Sequence, residues 1–137
     1  MIVGYARVSG SSMIGWQSRT TLLSITDGTS NTILAGEKHV NPARWGQANG
    51  DGSVYNGWNG RNFARLAGPG FPLAQSDTDT AAYNQLEIAD SRFGSNHPGI
   101  CQFVFCDGGV RPIQVSVSEA ILGLLSARND GKVIPDY

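Results

Sequence analysis

Charged side chains are scarce in this sequence of 137 residues, since Asp, Glu, Lys and Arg make up 15% of it, against roughly 25% in an average soluble domain. Ten Lys and Arg stand against eleven Asp and Glu, which leaves a formal net charge of -1. A chain without a positive field does not attract a nucleic acid backbone or an anionic membrane surface. We therefore expect neither nucleic acid nor a membrane among the partners of this chain.

Long apolar runs are also missing. The longest candidates, residues 121–125 and 103–105, are far shorter than the roughly 20 residues that cross a bilayer. The first ten residues contain no basic start followed by an apolar stretch, so they do not resemble a secretory signal. We expect a chain without an N-terminal membrane helix. Because 137 residues with 40% apolar content suit one core, we expect a single domain over 1–137.

Cysteine is rare, with Cys101 and Cys106 five positions apart in a β-prone run. In an extended strand their Cα atoms would lie roughly 16 Å apart, whereas a disulfide requires less than about 7 Å. No histidines accompany them at zinc-ligand spacing. We predict that both are free packing residues.

Glycine and proline are abundant, at 18 and 6 residues, and they mark the clearest local structure near the end of the chain. Residues 102–106 are apolar and β-prone, and Asp107-Gly108 is a two-residue turn signal. Residues 109–117 would then form the returning strand. These features predict a hairpin over about 101–117, with the strand containing Pro112 at a sheet edge. Ser116 and Glu119 have capping-box spacing before an apolar run, which predicts a helix over about 117–128.

Residues 27–32, Asp-Gly-Thr-Ser-Asn-Thr, form a dense turn signal before a predicted strand over 33–37. Asp27, Thr29 and Asn31 alternate oxygen-bearing side chains as a calcium loop does, but Thr32 and Lys38 replace the glycine and glutamate of that loop. We favour capping of backbone N–H groups by Asp27, Ser30 or Asn31. Calcium remains an alternative.

An acid–base pair of His97 and Asp107 is excluded by geometry, because the hairpin separates them by roughly 20 Å. We instead predict that His97-Pro98-Gly99 forms a turn whose imidazole binds a backbone group or a neighbouring side chain. None of the common catalytic motifs is present in the sequence. We predict no catalytic residues and no enzyme activity.

Isolated aromatic residues stand in the polar segment 41–81: Trp45, Tyr55, Trp58 and Phe71. Two interpretations are open. They form a recognition surface for glycans or peptides, since exposed aromatic clusters are usually functional, or they pack as a small second core that holds a long excursion in place.

Two stretches resemble known families. Residues 4–9, Gly-Tyr-Ala-Arg-Val-Ser, are similar to the first strand of serine recombinases of the resolvase and invertase type, which would make Ser9 a nucleophile beside Arg7. The later arginine motifs of that family are missing, so this is a remote alternative. A more extensive resemblance is to the bacterial domain of unknown function 1559, with its C-terminal H-x9-DG prepilin-type processing-associated signature. The matching positions are Asp27, Gly28, Thr29, Ser30, Asn31, Thr32, Glu37, His97, Pro98, Gly99, Asp107, Gly108 and the ending 121–134.

The resemblance to domain 1559 implies a pseudopilin-like head in the cell envelope, outside the cytoplasm. It implies an α+β fold with a mainly antiparallel sheet, protein partners or self-assembly, and a membrane anchor in full-length relatives. No cofactor is implied, and the leading interpretation is a non-enzymatic role in surface assembly or secretion. A free-standing module that binds glycan, peptide or calcium is the alternative. Ile100, Gly109 and Pro112 depart from the family pattern at the edge of the hairpin.

Overall fold

The computed structural model describes residues 4–9, 12–18, 20–48, 50–53, 62, 64–75 and 91–137. Its strands are β1 (Gly4–Ser9), β2 (Ser12–Ser18), β3 (Ile33–Gly36), β4 (Ile100–Phe105) and β5 (Val110–Gln114). Helix α1 spans Glu119–Ser126, and short 3-10 helices span Leu22–Ser24 and Pro42–Arg44. β1 and β2 form an antiparallel pair, and the other strands form an antiparallel sheet in the order β3-β4-β5. The antiparallel sheet and the C-terminal helix give the α+β class predicted from the sequence.

The β4–β5 hairpin is confirmed, but its strands and its turn differ from the prediction. The return strand ends at Gln114 rather than at 117. At the turn, Gly108 N–H donates to Phe105 O (2.9 Å) and Phe105 N–H donates to Gly109 O (2.9 Å), which closes a three-residue loop. Gly108 has φ of 85°, the left-handed conformation that follows a type I turn in such loops. The predicted two-residue turn was therefore wrong, because the left-handed Gly108 adds a third residue to the loop after the type I turn.

Strand β4 shows why this segment is extended. Its side chains alternate between buried and half-buried, and Cys101, Phe103 and Phe105 all face the core. That period of two is the pattern of a strand with one covered face. β5 lies at the edge of the sheet, where the missing N–H of Pro112 is tolerated.

Strand β3 pairs with β4 through a register shift between Ile33 and Ala35. Beyond Gly36 the chain pairs with a different segment. Lys38 forms an isolated antiparallel bridge with Phe93, and His39 N–H donates to Arg92 O (3.3 Å). The segment 92–94 in turn forms parallel bridges to 66 and 74. The polar middle of the chain is thereby attached to the edge of the sheet.

Helix α1 covers the inner face of the sheet with Leu122 and Leu125. Its N-cap is Ser118, whose hydroxyl accepts from Ile121 N–H (3.3 Å), so the predicted Ser116 capping box was wrong. The carboxylate of Glu119 accepts instead from Gly70 N–H (2.7 Å), 49 residues earlier in the chain. A distant backbone donor therefore replaces the local partner that the capping box would supply.

The core joins the three-stranded sheet, helix α1 and the middle segment that contains Leu73. Ile33, Leu73, Ile113 and the β4 residues pack with the two helix leucines, and the Phe93 and Phe103 rings meet edge to face with centroids 5.2 Å apart. Cys101 and Cys106 are free, as predicted.

Candidate functional site

Asp27 opens the turn over 27–32 and binds the C-terminal segment. Its two carboxylate oxygens accept from Asp130 N–H (2.7 Å) and Gly131 N–H (3.0 Å). The left-handed Gly28, with φ of 97°, turns the chain so that the Asn31 amide donates to Asp27 O (3.2 Å). Asp27 does cap backbone N–H groups, but the groups lie more than a hundred residues away rather than at a local helix start.

The backbone on both sides of Asp27 strengthens this attachment. Thr26 N–H donates to Arg128 O (2.8 Å), and the Arg128 guanidinium donates to Ser24 O (3.1 Å). The buried Thr32 hydroxyl lies between Gly28 O (3.1 Å) and Ala127 O (3.3 Å). The polar residues of this turn therefore bind backbone groups of the segment 127–131, which follows α1.

The same turn also holds the tip of the β4–β5 hairpin. Asp107 N–H donates to Thr29 O (3.0 Å), and the Arg111 guanidinium donates to Ser30 O (2.7 Å). The Asp107 carboxylate accepts from Gly109 N–H (2.8 Å) and from Arg111. These bonds to the charged form, with Gly109 the larger contributor, hold the pKa of Asp107 below its usual value.

Glu37 and His97 form a pair at the opposite end of β4. One Glu37 oxygen accepts from Gln102 N–H (2.7 Å), and the other lies 3.1 Å from His97 Nε2. Pro98 and the left-handed Gly99, with φ of 72°, complete the turn that presents the imidazole. His97 and Asp107 thus sit at opposite ends of one strand, as expected, and sequence reasoning missed Glu37 as the imidazole's partner.

Cys101 contacts the Glu37 backbone from inside the core. Burial, with a smaller contribution from the charge of Glu37, raises the pKa of this thiol to about 12. A thiol with so high a pKa stays protonated and is a poor nucleophile. Cys101 is therefore suited to packing rather than to covalent chemistry.

Trp45 lies on the loop that follows the second 3-10 helix, with 57% of its surface exposed. It lines a cavity of about 300 Å³ together with Val40, Asp51, Ser95 and Asn96. Phe71 is half-buried in a turn closed by its N–H to Gly68 O (2.8 Å), and it is not among the described residues around this cavity. Tyr55 and Trp58 lie outside the described residues.

Within the described ranges, no group of three or more His, Cys, Asp and Glu residues is arranged to hold a metal ion. Both oxygens of Asp27, the first of the calcium candidates, already accept backbone N–H groups. None of the helices described is long and apolar enough to cross a bilayer. Arg7 and Ser9, the recombinase candidates, lie on β1, which pairs with β2.

Comparison with known proteins agrees with the motifs. No curated protein and no solved structure matches the chain significantly. A family described as a protein of unknown function (DUF1559) matches residues 4–119. This range includes the 27–32 turn, Glu37, His97 and the Asp107 hairpin. The chain therefore belongs to the DUF1559 family.

Proposed function

We propose that this chain is a non-enzymatic, pilin-like head domain in the cell envelope, outside the cytoplasm, which acts in surface assembly through contact with other proteins. The proposal includes a membrane anchor in the full-length relatives. Its support is the resemblance of the motifs to pseudopilin-like proteins together with a patch of exposed leucines.

The exposed leucines carry the proposal. Leu22 and Leu34 line a cleft of about 160 Å³ with Ile25 and the thiol-bearing Cys106, and both leucines are exposed. Leu23, which follows Leu22 in the chain, leaves 95% of its surface in solvent. Adjacent exposed apolar side chains are typical of surfaces that bind another protein. We call the surface formed by Leu22, Leu23 and Leu34 the leucine patch.

The roles of the motif side chains support a structural protein rather than an enzyme. Asp27 and Thr32 bind backbone groups of distant segments, whereas Asp107 binds Gly109 N–H and Arg111 within the hairpin. Glu37 binds both Gln102 N–H and His97. Side chains engaged in this way hold the surface in a fixed shape. The contacts with other proteins are then made by the exposed residues of the leucine patch.

Site-specific photo-crosslinking in the source cells tests the proposal. A photoreactive residue at position 23 is expected to yield discrete adducts with envelope proteins or with a second copy of the chain. The matched control is position 133, where Val133 is 88% exposed outside the leucine patch. Adducts that are equally abundant at both positions, or absent from position 23, would contradict the proposal.

The location and the anchor are tested separately. An antibody against this domain, combined with cell fractionation and intact mass, is expected to find a species in the envelope that is several kilodaltons heavier than 14.5 kDa. A species of 14.5 kDa in the soluble fraction would contradict the anchored form of the proposal.

A further inference from the structure

The exposed indole of Trp45 sits on a loop whose shape is fixed by its own hydrogen bonds. The Asn41 side chain accepts from Ala43 N–H (2.9 Å), and Trp45 N–H donates to Pro42 O (3.2 Å). One carboxylate oxygen of Asp51 then accepts from Gly46 N–H (2.8 Å). The backbone on both sides of the indole is thus held in place.

Two polar side chains of the interior anchor the far end of this loop. The Lys38 ammonium donates to the carbonyls of Gly50 (3.4 Å), Gly52 (3.3 Å) and Asn62 (3.4 Å). The fully buried Asn62 accepts from Gly50 N–H (3.1 Å) and Gly52 N–H (3.2 Å) through one amide oxygen. A loop ordered before a ligand arrives loses little conformational entropy on binding, which raises affinity.

The cavity beside Trp45 combines one aromatic face with polar groups at its rim. The second carboxylate oxygen of Asp51 and the side chain of the exposed Asn96 make no hydrogen bond to any residue that the structure describes. They therefore offer acceptors and an N–H₂ donor to a ligand. The volume of about 300 Å³ is at the lower end of the range for small-molecule sites, roughly 300–1,000 Å³.

We propose that this cavity binds a neutral saccharide, with one pyranose ring stacked on the indole of Trp45. A pyranose has a face of polarised C–H groups, which suits the negative π face of an indole. Its hydroxyl groups both donate and accept, which suits Asp51 and Asn96. Lys38 also lines the cavity, but its ammonium group already donates to three backbone carbonyls. The Asp51 charge at the rim disfavours an anionic ligand. The site lies apart from the leucine patch and does not depend on the protein contacts proposed above.

Nuclear magnetic resonance titration of the ¹⁵N-labelled full chain tests this site. The probes are the methyl glycosides of glucose, galactose, mannose and N-acetylglucosamine, with glycerol as a polyol control. At least one glycoside is expected to produce saturable shifts of the Trp45 indole N–H and the Asn96 side-chain amide. The Trp45 signal is identified among the three tryptophans by its loss in Trp45→Phe.

Variants separate binding from loop folding. Trp45→Ala is expected to weaken binding about tenfold or more, and Trp45→Phe less, because stacking depends on the aromatic face. Asn96→Ala is expected to weaken binding with the loop unchanged. Tyr137→Ala is the matched control, since Tyr137 is 56% exposed away from the cavity, and it is expected to leave affinity unchanged. Slow hydrogen exchange of the Gly50 and Gly52 amides, which donate to Asn62, verifies that the loop remains folded in each variant.

Several results would overturn the saccharide site. They are the absence of saturable shifts with all four glycosides, shifts of equal size with glycerol, and undiminished binding by Trp45→Ala. The proposal would also be overturned if peptides shifted the Trp45 indole N–H resonance and none of the glycosides did. The cavity would then be a peptide-binding site. None of these results bears on crosslinking at position 23, so this proposal and the proposed function fail independently.

Discussion

Replacing Asp27 with alanine removes the two hydrogen bonds that attach the turn over 27–32 to the C-terminal segment. Bonds accepted by a charged group contribute roughly 1.5–3 kcal/mol in sheltered settings and less where water competes. Asp27 is half-buried and its bonds to Asp130 N–H and Gly131 N–H are exposed, so about 1 kcal/mol each is appropriate. We expect the free energy of unfolding to fall by about 2 kcal/mol, which lowers the melting temperature by roughly 5–10 °C.

Two measurements check this expectation. Thermal unfolding followed by circular dichroism reports the global change, and hydrogen exchange of the Asp130 and Gly131 amides reports the local one. Both amides are expected to be protected in the wild-type protein and to exchange rapidly in Asp27→Ala. Asp27→Asn keeps one acceptor oxygen and is expected to lose about half of the stability lost by Asp27→Ala.

Asp136→Ala is the matched control, because it removes an exposed carboxylate from the same C-terminal segment. None of the described residues donates a hydrogen bond to the Asp136 side chain. A melting temperature of Asp27→Ala within about 1 °C of that of Asp136→Ala, with both amides still protected, would refute the reasoning. The turn would then be held by its other hydrogen bonds.

The remaining predictions concern the hairpin, the core and calcium. His97→Ala is expected to lower stability by about 1 kcal/mol or less, because its pair with Glu37 is largely exposed, and to leave ligand signals unchanged; lost binding at full stability would contradict this. The hydrogen bond from Gly109 N–H lowers the pKa of Asp107 in the folded state. The ionised Asp107 therefore stabilises the folded protein above about pH 4, and this stabilisation is lost as the pH falls through the folded pKa. Asp107→Asn should therefore reduce the fall of the melting temperature at acid pH. A melting temperature that falls with pH as steeply as in the wild-type protein would contradict the assignment. Leu122→Ala opens the centre of the core and is expected to cost roughly 2–5 kcal/mol by chemical denaturation; a cost under about 1 kcal/mol would place Leu122 outside the core. The calcium alternative predicts a melting temperature that EDTA lowers, and an unchanged value would exclude it.

Local patterns explain why the hairpin was predictable from the sequence. Cys101, Phe103 and Phe105 alternate with half-buried residues, and Gly108 supplies the left-handed position. Periodicity and glycine chemistry act within a few residues, so neither depends on the rest of the fold. The loop length was predicted wrongly, because Asp-Gly occurs both in two-residue turns and at the end of three-residue loops.

The beginning of α1 shows the limit of local rules. Ser116 and Ser118 both precede the apolar run, and the Ser116 spacing to Glu119 favours a capping box. In the structure Glu119 binds Gly70 N–H instead, and Ser118 becomes the cap. The local spacing therefore favoured the wrong serine, and the partner of Glu119 lies 49 residues away, where no local rule applies.

The candidate sites depended still more on distant contacts. No periodicity or motif marks Lys38 or Asn62, yet together they order the loop that carries Trp45. Sequence reasoning allowed the aromatic residues of 41–81 to be either a surface or a second core. The structure separates two of them, since Trp45 is exposed at a cavity and Phe71 is half-buried elsewhere.

The sequence by itself determined the family, the antiparallel hairpin and the terminal helix, because motif spacing, turn residues and hydrophobic period are properties of neighbouring positions. Only the tertiary structure decided what the polar motif residues bind. Asp27 meets Asp130 and Gly131 across a hundred residues, and Glu37 meets His97 across sixty. Such hydrogen bonds form only after the core of β4 and α1 has brought distant segments within about 3 Å, and no local signal in the chain encodes that approach.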